Sequence, residues 1–218
     1  LKMDPRDPYR SKEFAQLVRA YMPDVVALQE YCAHMHPNFY PKIETYGYVM
    51  AYESGMDWNN TPIFYNPETV ELLEVNFNLF TPAKYSNNGT KSFTSALFRH
   101  KATDRLFAVI STHLWWVDEK VQAGSDMARA SQARLIMAEA EEIIAEHKCP
   151  VFVCGDLNCQ ESSIAIQQFL SSGYKPCYKI ATEYADLTNG HHECSKYGFS
   201  RKYGNRDREK DAIDHCLL

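Results

Sequence analysis

The chain has 218 residues, and its 23 lysines and arginines against 28 aspartates and glutamates give a formal net charge of −5. Hydrophobic residues make up 45% and charged residues 23% of the chain, which is typical of a globular protein and excludes wholesale disorder, collagen and coiled coil. No apolar run approaches the roughly 18 residues of a membrane-spanning helix, and the acidic balance argues against a dedicated nucleic-acid binder, although a local basic patch can still serve one.

The first predicted element is an amphipathic helix that follows Ser11, a residue type favoured at helix N-caps. Its apolar residues recur at i, i+3, i+4 and i+7, which predicts an inward-facing stripe: Phe14, Leu17, Val18 and Tyr21. Pro23 ends this helix. The apolar run Val25–Leu28 then predicts a buried strand that ends on Gln29 and Glu30.

The middle of the chain reads as a series of antiparallel strands. Residues 61–65 and 70–80, on either side of a turn at Asn66 and Pro67, predict a hairpin. Residues 93–98 and 106–110 predict two further strands, paired across a polar connection. The apolar spacing then changes to a helical one, which predicts a long helix over residues 128–146.

The last part of the chain alternates strands and helices. Pro150 introduces a buried strand over residues 151–154, a helix is expected after Ser163, and residues 212–218 form an apolar, strand-like run. Residues 185–211 are polar and aperiodic, which predicts a long loop. Because no linker or repeat interrupts the chain, we expect one mixed α/β domain over residues 1–218.

Polar side chains capable of chemistry follow four of these strands. They are Glu30, His113, the pair Asp156 and Asn158, and Asp214. A single such residue is usually a turn or cap residue, but four strand ends of this kind are difficult to explain as independent caps. Oxygen ligands with one histidine suit Mg²⁺ or Mn²⁺ acting on a phosphate, whereas zinc usually recruits several histidines or cysteines.

These residues stand in motifs that resemble, in order and relative spacing, those of the endonuclease/exonuclease/phosphatase (deoxyribonuclease I-like) superfamily. The motifs are Asp24–Glu30, Pro62–Tyr65, Ser111–Leu114, Gly155–Asn158 and Ala212–His215. The resemblance implies a four-layer α/β sandwich, in which two mixed sheets lie face to face with helices outside. It also implies hydrolysis of phosphate esters with a divalent metal ion.

The resemblance assigns a role to each matching residue. Glu30 resembles the metal-binding glutamate, and Asp156 the aspartate that orients or deprotonates the attacking water. Asn158 resembles the amide that holds a phosphate oxygen, and His113 the histidine that donates to a non-bridging oxygen or protonates the leaving group. Asp214 resembles the aspartate that orients a general-base histidine. Structural roles stay open at each position: strand-end surface residue, Asx turn, core histidine or strand polarity.

Further candidates lie beyond the strand ends. Arg129 stands early in the predicted long helix, where the helix dipole disfavours a cation, and Arg129 to Gln132 resembles a family motif. We expect Arg129 to contact the substrate phosphate, with solvated surface charge as the alternative. We expect three tryptophans in loops beside the site to form an aromatic rim around it: Trp58, Trp115 and Trp116. The alternative is that they pack inside the protein. The basic and aromatic residues between 196 and 210 suit the binding of a polyanion by charge and stacking. The alternative is that they are solvated charges of a loop.

The chain also departs from the family pattern. It contains neither the strand with the metal-binding asparagine nor the Ser-Asp-His strand, because Asp214 and His215 fit the penultimate strand better. We therefore expect a domain that is truncated at both ends and lacks its first and last strands. Two alternatives to a phosphodiesterase remain open: a non-catalytic binding domain of the same fold, and a phosphomonoesterase acting on inositol or sugar phosphates.

Three expectations concern partners and compartment. Seven cysteines are an odd number in a chain of this length, and they fit reduced thiols, and so the cytoplasm, better than a disulfide framework. We expect a monomer whose partner is its phosphate-ester substrate, with nucleic acid as one candidate. The sequence does not identify the substrate further.

Overall fold

The structure of the chain is a computed structural model that describes residues 7–31, 36–52, 59–81, 83–86, 89–182, 194–195, 198–199 and 212–218. Four helices and ten strands lie within these residues. The helices are α1 (Asp7–Tyr21), α2 (His36–Glu44), α3 (Ser125–His147) and α4 (Ile164–Ser171). The strands are β1 (Val25–Ala27), β2 (Val49–Met50), β3 (Ile63–Tyr65), β4 (Val70–Leu79), β5 (Ser92–His100), β6 (Arg105–His113), β7 (Val151–Asp156), β8 (Cys194–Ser195), β9 (Gly198–Phe199) and β10 (Asp214–Leu217).

The larger sheet is mixed and has the strand order β10-β7-β6-β5-β4. Strands β6 and β7 are parallel, joined by the crossover helix α3, and the other neighbours are antiparallel. The smaller sheet has the order β1-β3-β2, and its described pairs are antiparallel. The parallel pair matters for function because it brings the ends of β6 and β7 to the same edge.

Three apolar clusters define four layers. The first cluster joins one face of the larger sheet to α3 and α4, for example through Val153, Ile136 and Phe169. The second joins α1 and α2 to the smaller sheet, and the third fills the space between the two sheets. Since each sheet buries both faces, the order is helix, sheet, sheet, helix. The fold predicted from the motif resemblance is therefore confirmed.

Several predicted elements are confirmed with small changes of boundary. The antiparallel pair β5 and β6, the strand β7 and the helix α4 lie where the patterns predicted them. Helix α3 begins at Ser125, three residues before the predicted start. The reason is the Glu119 carboxylate, which accepts the backbone N–H groups of Gly124 and Asp126, both at 2.8 Å, at the N-terminus of the helix.

Two local predictions are wrong. Residues 61–65 and 70–80 do not form a hairpin: β3 pairs with β1 and β2, whereas β4 pairs with β5 in the other sheet. The chain passes from one sheet to the other at the turn after β3, where the Asn66 side chain accepts the Glu68 N–H at 3.0 Å. The segment 185–211 is not wholly a loop, since β8 and β9 form a short ribbon. Strands of two residues are too short to show periodicity.

The first helix presents a different face from the predicted one. Ser11, Ala15 and Val18 are buried, whereas three members of the predicted stripe are exposed: Phe14, Leu17 and Tyr21. Helix α1 packs against α2, and Ala15 and Val18 share an apolar cluster with Phe39 and Ile43 of α2. Ser11 is also not an N-cap, since α1 already begins at Asp7.

Within the described part of the chain, no helix combines the length and the apolar character needed to cross a lipid bilayer.

Candidate active site

Strand register brings three of the predicted site residues together. In the parallel pair of β6 and β7, His113 lies opposite Asp156. In the antiparallel pair of β7 and β10, Asp214 also lies opposite Asp156. The imidazole Nε2 of His113 is 3.5 Å from the Asp156 carboxylate. The edge of the larger sheet therefore carries a row of three polar side chains with Asp156 at its centre.

Glu30 reaches this edge from the other sheet. The hydroxyl of Ser111 in β6 donates to the backbone carbonyl of Leu28 at 3.0 Å, and the Gln29 amide donates to the same hydroxyl at 3.2 Å. These two hydrogen bonds hold the segment that follows β1 against β6. As a result, the Glu30 carboxylate acts electrostatically on Asp156 and on Lys91.

Lys91 is a site residue that the sequence analysis missed. It immediately precedes β5, its side chain is 3% exposed, and its ammonium group contacts the His113 Nε2. The backbone carbonyl of Lys91 accepts the Phe80 N–H at 3.0 Å, and its N–H donates to the Ser86 carbonyl at 3.0 Å. Lys91 is thus held on both sides of its Cα, with its positive charge directed into the carboxylate cluster.

A buried hydroxyl network fixes the start of β5 beside the smaller sheet. The Asn59 amide donates to Thr94 at 2.8 Å, and the Thr61 and Ser92 hydroxyls are 3.0 Å apart. All four side chains are buried. Because buried polar groups lose water, such networks are stable only when their members are paired. The network therefore positions the backbone from which Lys91 projects.

Burial and the neighbouring charges shift the pKa values of two groups of the cluster, Asp156 and Lys91. Burial raises the pKa of Asp156 to about 7, and repulsion by Asp214 and Glu30 adds to that rise. Burial lowers the pKa of Lys91 to about 8, although the attraction of Asp156 and Glu30 opposes the change. At neutral pH Lys91 therefore remains charged, while Asp156 lies close to its midpoint.

His113 is neutral in this environment. Burial and, to a smaller extent, the nearby Lys91 ammonium lower its pKa to about 3. Because the ammonium can only donate, the contacting Nε2 accepts and the ring proton lies on the other nitrogen. The 3.5 Å separation from Asp156 is thus a contact between a neutral ring and a carboxylate at neutral pH. The cationic donor of the site is Lys91.

The turn after β7 ties Asn158 to its neighbours. The Asp156 carboxylate accepts the Asn158 backbone N–H at 2.9 Å, and the Asn158 amide donates to the Leu114 carbonyl at 3.0 Å. Asn158 has the positive φ of 52° that asparagine tolerates better than most residues. The Asx turn that the sequence left open is present, and the amide retains a second N–H that can donate to a ligand.

Glu30 also has a left-handed backbone, with φ of 57°. Glutamate rarely adopts this conformation, which costs roughly 1–2 kcal/mol in a residue with a Cβ, and such strain tends to concentrate at functional sites. We therefore expect Glu30→Gly to be more stable than Glu30→Ala by about 1 kcal/mol. Chemical denaturation of both variants measures the difference.

The matched control is Lys12, an exposed residue inside α1. There the order should reverse, with Lys12→Ala more stable than Lys12→Gly by about 1 kcal/mol, because glycine is unfavourable inside a helix. If alanine were also preferred at position 30, the strained conformation of Glu30 would be disproved.

Arg129 does not have the solvated position that was its alternative. It is 5% exposed, and its guanidinium donates to the Trp115 carbonyl at 3.1 Å and the Val117 carbonyl at 2.9 Å. It also pairs with Asp126. Arg129 therefore orders the loop that follows His113, and contact with a substrate phosphate stays a prediction.

The aromatic residues of the predicted rim divide into two kinds. Trp115 packs inside, with 6% exposure and an indole N–H that donates to Ser125 at 3.1 Å, whereas Trp116 is 58% exposed. Trp58 lies outside the described residues, as do the side chains of the basic and aromatic residues between 196 and 210. Their predicted roles stay predictions.

Two polar residues of β10, His215 and Asp214, lie on opposite faces of the strand. The His215 ring contacts the Cys159 carbonyl at 2.8 Å, and strand alternation places it on the opposite face from Asp214. Asp214 itself lies beside Asp156. Its predicted role toward a general-base histidine stays a prediction.

The donor set fits an ion of the magnesium type. Among the described residues, no group of three or more His, Cys, Asp or Glu side chains is arranged to enclose a metal. Mg²⁺ does not need such a group, because it is commonly held by one or two carboxylates together with water and substrate phosphate. Glu30 supplies an exposed carboxylate, and the repulsion that raises the pKa of Asp156 indicates the excess negative charge that a divalent cation relieves.

A signal for Lys91 was present in the sequence. It directly precedes a strand whose residues 92–98 are all buried, and a lysine at the start of a buried strand needs an anionic partner. This pattern does not identify the partner of Lys91. The partner follows from the strand register, which places Ser92, the first residue of β5, opposite His113.

Comparison with known families gives a match over nearly the whole chain. The model of the "Endonuclease/Exonuclease/phosphatase family" matches residues 3–218. Rat Nocturnin is 25% identical over 167 residues, which cover 71% of this chain and 37% of the relative, and mouse Nocturnin gives the same values. The chain thus spans well under half the length of the curated relatives it matches.

Solved structures share the fold. An endonuclease/exonuclease/phosphatase from Bacteroides vulgatus has a TM-score of 0.73 at 23% identity, covering 98% of this chain and 82% of that one. The human Nocturnin catalytic domain with bound sulfate has a TM-score of 0.69 at 19% identity, covering 96% and 73%. D. rerio TDP2 in complex with a single-strand DNA product has a TM-score of 0.69 at 17% identity, covering 99% and 78%.

Proposed function

The chain belongs to the endonuclease/exonuclease/phosphatase family, and from that membership we propose that it hydrolyses phosphate esters with a divalent metal ion. The observation that carries the proposal is the strand register that assembles the site. It places His113 and Asp214 beside Asp156, with the buried ammonium of Lys91 against the His113 ring.

In the proposed reaction Asp156 aligns the attacking water and accepts its proton. A carboxylate with a pKa near 7 is well matched to this role at neutral pH, since a general base works best when its pKa lies near the operating pH. The Asn158 N–H holds one carboxylate oxygen at 2.9 Å, which fixes the direction of the group.

Lys91 and Asn158 stabilise the charge that develops on the phosphate. Both present N–H donors on the side of the site where Asp156 lies, and Lys91 adds a full positive charge in a buried position, where electrostatic interactions are strongest. His113, which is neutral, accepts from the Lys91 ammonium through Nε2 and so holds that charge in place without adding one of its own. When bound, a Mg²⁺ or Mn²⁺ ion held by Glu30 supplies Lewis-acid stabilisation of the phosphate and leaving oxygens.

A phosphodiester suits this site better than a phosphomonoester. Glu30, Asp156 and Asp214 carry up to three negative charges against one on Lys91, and a divalent ion brings the total close to zero. A diester carries one negative charge and a monoester up to two at neutral pH. A site whose own charges sum close to zero has no excess positive charge to offset the second one, so removing the monoester from water costs more. Proteins that share this fold act on different substrates: one is a mannosyl-6-phosphatase and another, TDP2, holds a single-strand DNA product.

The test is hydrolysis of bis-p-nitrophenyl phosphate by the full-length gene product. We expect activity with Mg²⁺ or Mn²⁺, complete loss on adding EDTA, and recovery when excess metal is restored. A parallel panel of inositol and sugar phosphates, scored for released orthophosphate, should give little product.

Two outcomes would overturn the proposal. Orthophosphate release from the panel without diester cleavage would identify a phosphomonoesterase. Binding of phosphate esters without turnover of any of them would identify a binding domain of the same fold.

A further inference from the structure

Three cysteine thiols meet where β10 joins the larger sheet. Cys154 of β7 lies opposite Cys216 of β10 in the strand register, and their Sγ atoms are 3.2 Å apart. Cys177, in a short 3-10 turn, also forms a hydrogen bond with Cys216. All three are free thiols, and the proposed reaction uses none of them.

The backbone brings β7 and β10 close together at Cys154 and Cys216. The Leu157 N–H donates to the Ile213 carbonyl at 3.0 Å, which marks a hydrogen-bonded pair of the antiparallel ladder. Such pairs alternate with non-hydrogen-bonded pairs, whose Cα atoms are only about 4.5 Å apart. The register places Cys154 and Cys216 in a non-hydrogen-bonded pair. That separation lies within the range of roughly 4.4–6.8 Å found in disulfides.

The two sulfur atoms are also placed for reaction. A disulfide bond is about 2.05 Å long, so the Sγ atoms need to approach by only about 1 Å. The hydrogen bond to Cys154 raises the pKa of the Cys216 thiol, so Cys216 donates and the sulfur of Cys154 accepts. An accepted hydrogen bond favours the thiolate, which is the reactive form of cysteine. Cys216 is exposed and Cys154 is partly exposed, so a small oxidant can reach the pair.

We propose that Cys154 and Cys216 are a redox modification site, which hydrogen peroxide converts into a reversible disulfide. The Cys154 sulfur attacks the peroxide and breaks its O–O bond, which gives a sulfenic acid and one water. The Cys216 sulfur then attacks the Cys154 sulfur. The S–S bond forms, the S–O bond breaks, and the hydroxide leaves with the Cys216 proton as a second water. The two thiols thus lose two hydrogens and two electrons, and one peroxide is reduced to two waters.

The disulfide locks β10 to β7 beside the candidate active site. Side chains two residues apart in a strand share a face and are about 7 Å apart. Cys154 therefore shares a face with Asp156, and Cys216 shares it with Asp214. The bond fixes the register that places the two aspartates side by side. It also joins residues 62 positions apart, which restricts the unfolded chain and stabilises the native state.

Cys177 is the competing partner of Cys216. Pro176 and Leu217 form an isolated β-bridge, after which residues 177–179 adopt a 3-10 turn. The ladder between β7 and β10, in contrast, continues on both sides of Cys154 and Cys216. Burial also raises the pKa of Cys177 to about 12, which keeps this thiol protonated at neutral pH and therefore unreactive. Cys154 is thus the favoured partner.

The experiment is peptide mapping of the full-length gene product after brief exposure to hydrogen peroxide. The tryptic peptides that carry Cys154 and Cys216 should become joined, two hydrogens lighter than their sum, and should separate again in dithiothreitol. Because the first peptide also carries Cys149, Cys159 and Cys177, variants identify the reacting sulfur. Cys177→Ala should keep the link, as should Cys149→Ala, the matched control. The double variant Cys154→Ala with Cys177→Ala should form none.

Thermal unfolding tests whether the disulfide locks β10 to β7. The oxidised native protein should have a Tm roughly 5–15 °C above that of the reduced protein, whereas Cys216→Ala should show no rise after the same treatment. Neither measurement requires ester hydrolysis, so this inference can fail while the proposed function stands, and the reverse. Four results would overturn it: no link in the native protein, a link between two copies of the chain, loss of the link in Cys177→Ala, or a Tm that does not rise on oxidation.

Discussion

Replacing Asp156 with asparagine is expected to lower kcat/KM for phosphodiester hydrolysis by about 10²–10⁴-fold, the usual contribution of a general base. Asparagine keeps the shape of the side chain and an oxygen that can accept the Asn158 N–H, a bond of 2.9 Å in the native protein. The variant therefore removes the proton acceptor while leaving the turn after β7 in place. Asp118→Asn, in an exposed loop position, is the control and should retain activity.

The same substitution should stabilise the metal-free protein at alkaline pH. Asp156 has a pKa raised from 3.8 to about 7, so its contribution to stability is fully present below pH 3.8 and is lost as pH rises through about 7. Above that point the native state carries an ionised carboxylate that is more costly there than in the unfolded chain. Each pKa unit corresponds to about 1.4 kcal/mol.

Chemical denaturation in the presence of EDTA tests whether the substitution stabilises the metal-free protein. Asp156→Asn should raise the free energy of unfolding by about 1–3 kcal/mol at pH 8 and by less at pH 5, where the native carboxyl is mostly protonated. A variant that is less stable than the native protein at pH 8 would show that Asp156 is paired favourably when ionised, contrary to the electrostatics described above.

Gly155→Ala is expected to have the largest effect on stability. Gly155 lies opposite Thr112 in the parallel pair of β6 and β7, and a Cβ built at this position would be 2.0 Å from the Thr112 carbonyl oxygen. The obstacle is backbone, so no side chain can move aside and the strands must separate. Because His113 and Asp156 are the next register pair, the same separation disrupts the site.

We expect a loss of about 3 kcal/mol or more, beyond the range of ordinary overpacking, and for a chain of this size a fall in Tm of about 6 °C or more. Gly173→Ala is the control. Its φ is 97° with no atom within 4 Å of the added Cβ, so it should cost only the strain of its backbone, about 1 kcal/mol. Equal costs at the two positions would disprove the close approach of β6 and β7.

The sequence predicted the parts of the fold that depend on short-range patterns. The apolar runs after Asp24 and around Phe107 are strands, and the apolar spacing around Ile136 is a helix, because runs and periodicity within one segment report its local structure. The candidate site residues Glu30, His113 and Asp156 were predicted by motif, and the register of β6 and β7 brings two of them, His113 and Asp156, side by side.

The features that the sequence did not reveal depend on long-range packing. The partner of β3 is set by the sandwich and not by the turn at Asn66, which is equally compatible with a hairpin. The inward face of α1 is set by its neighbour α2, which selects Ala15 over Phe14. Lys91 is recognised as part of the candidate site only through its contact with His113, a residue 22 positions away. Pattern within one segment cannot show any of these.

The central claim is that the carboxylate and ammonium cluster around Asp156 hydrolyses phosphate esters with a metal ion held by Glu30. The most direct test is the rate of bis-p-nitrophenyl phosphate hydrolysis by the full-length gene product and its Glu30→Gln variant across a Mg²⁺ titration. We predict saturable, EDTA-sensitive activity in the native protein. In the folded Glu30→Gln variant we predict a loss of at least about a hundredfold at limiting Mg²⁺, with half-saturation moved to higher concentration. A variant with the native rate and the native Mg²⁺ requirement would contradict the account.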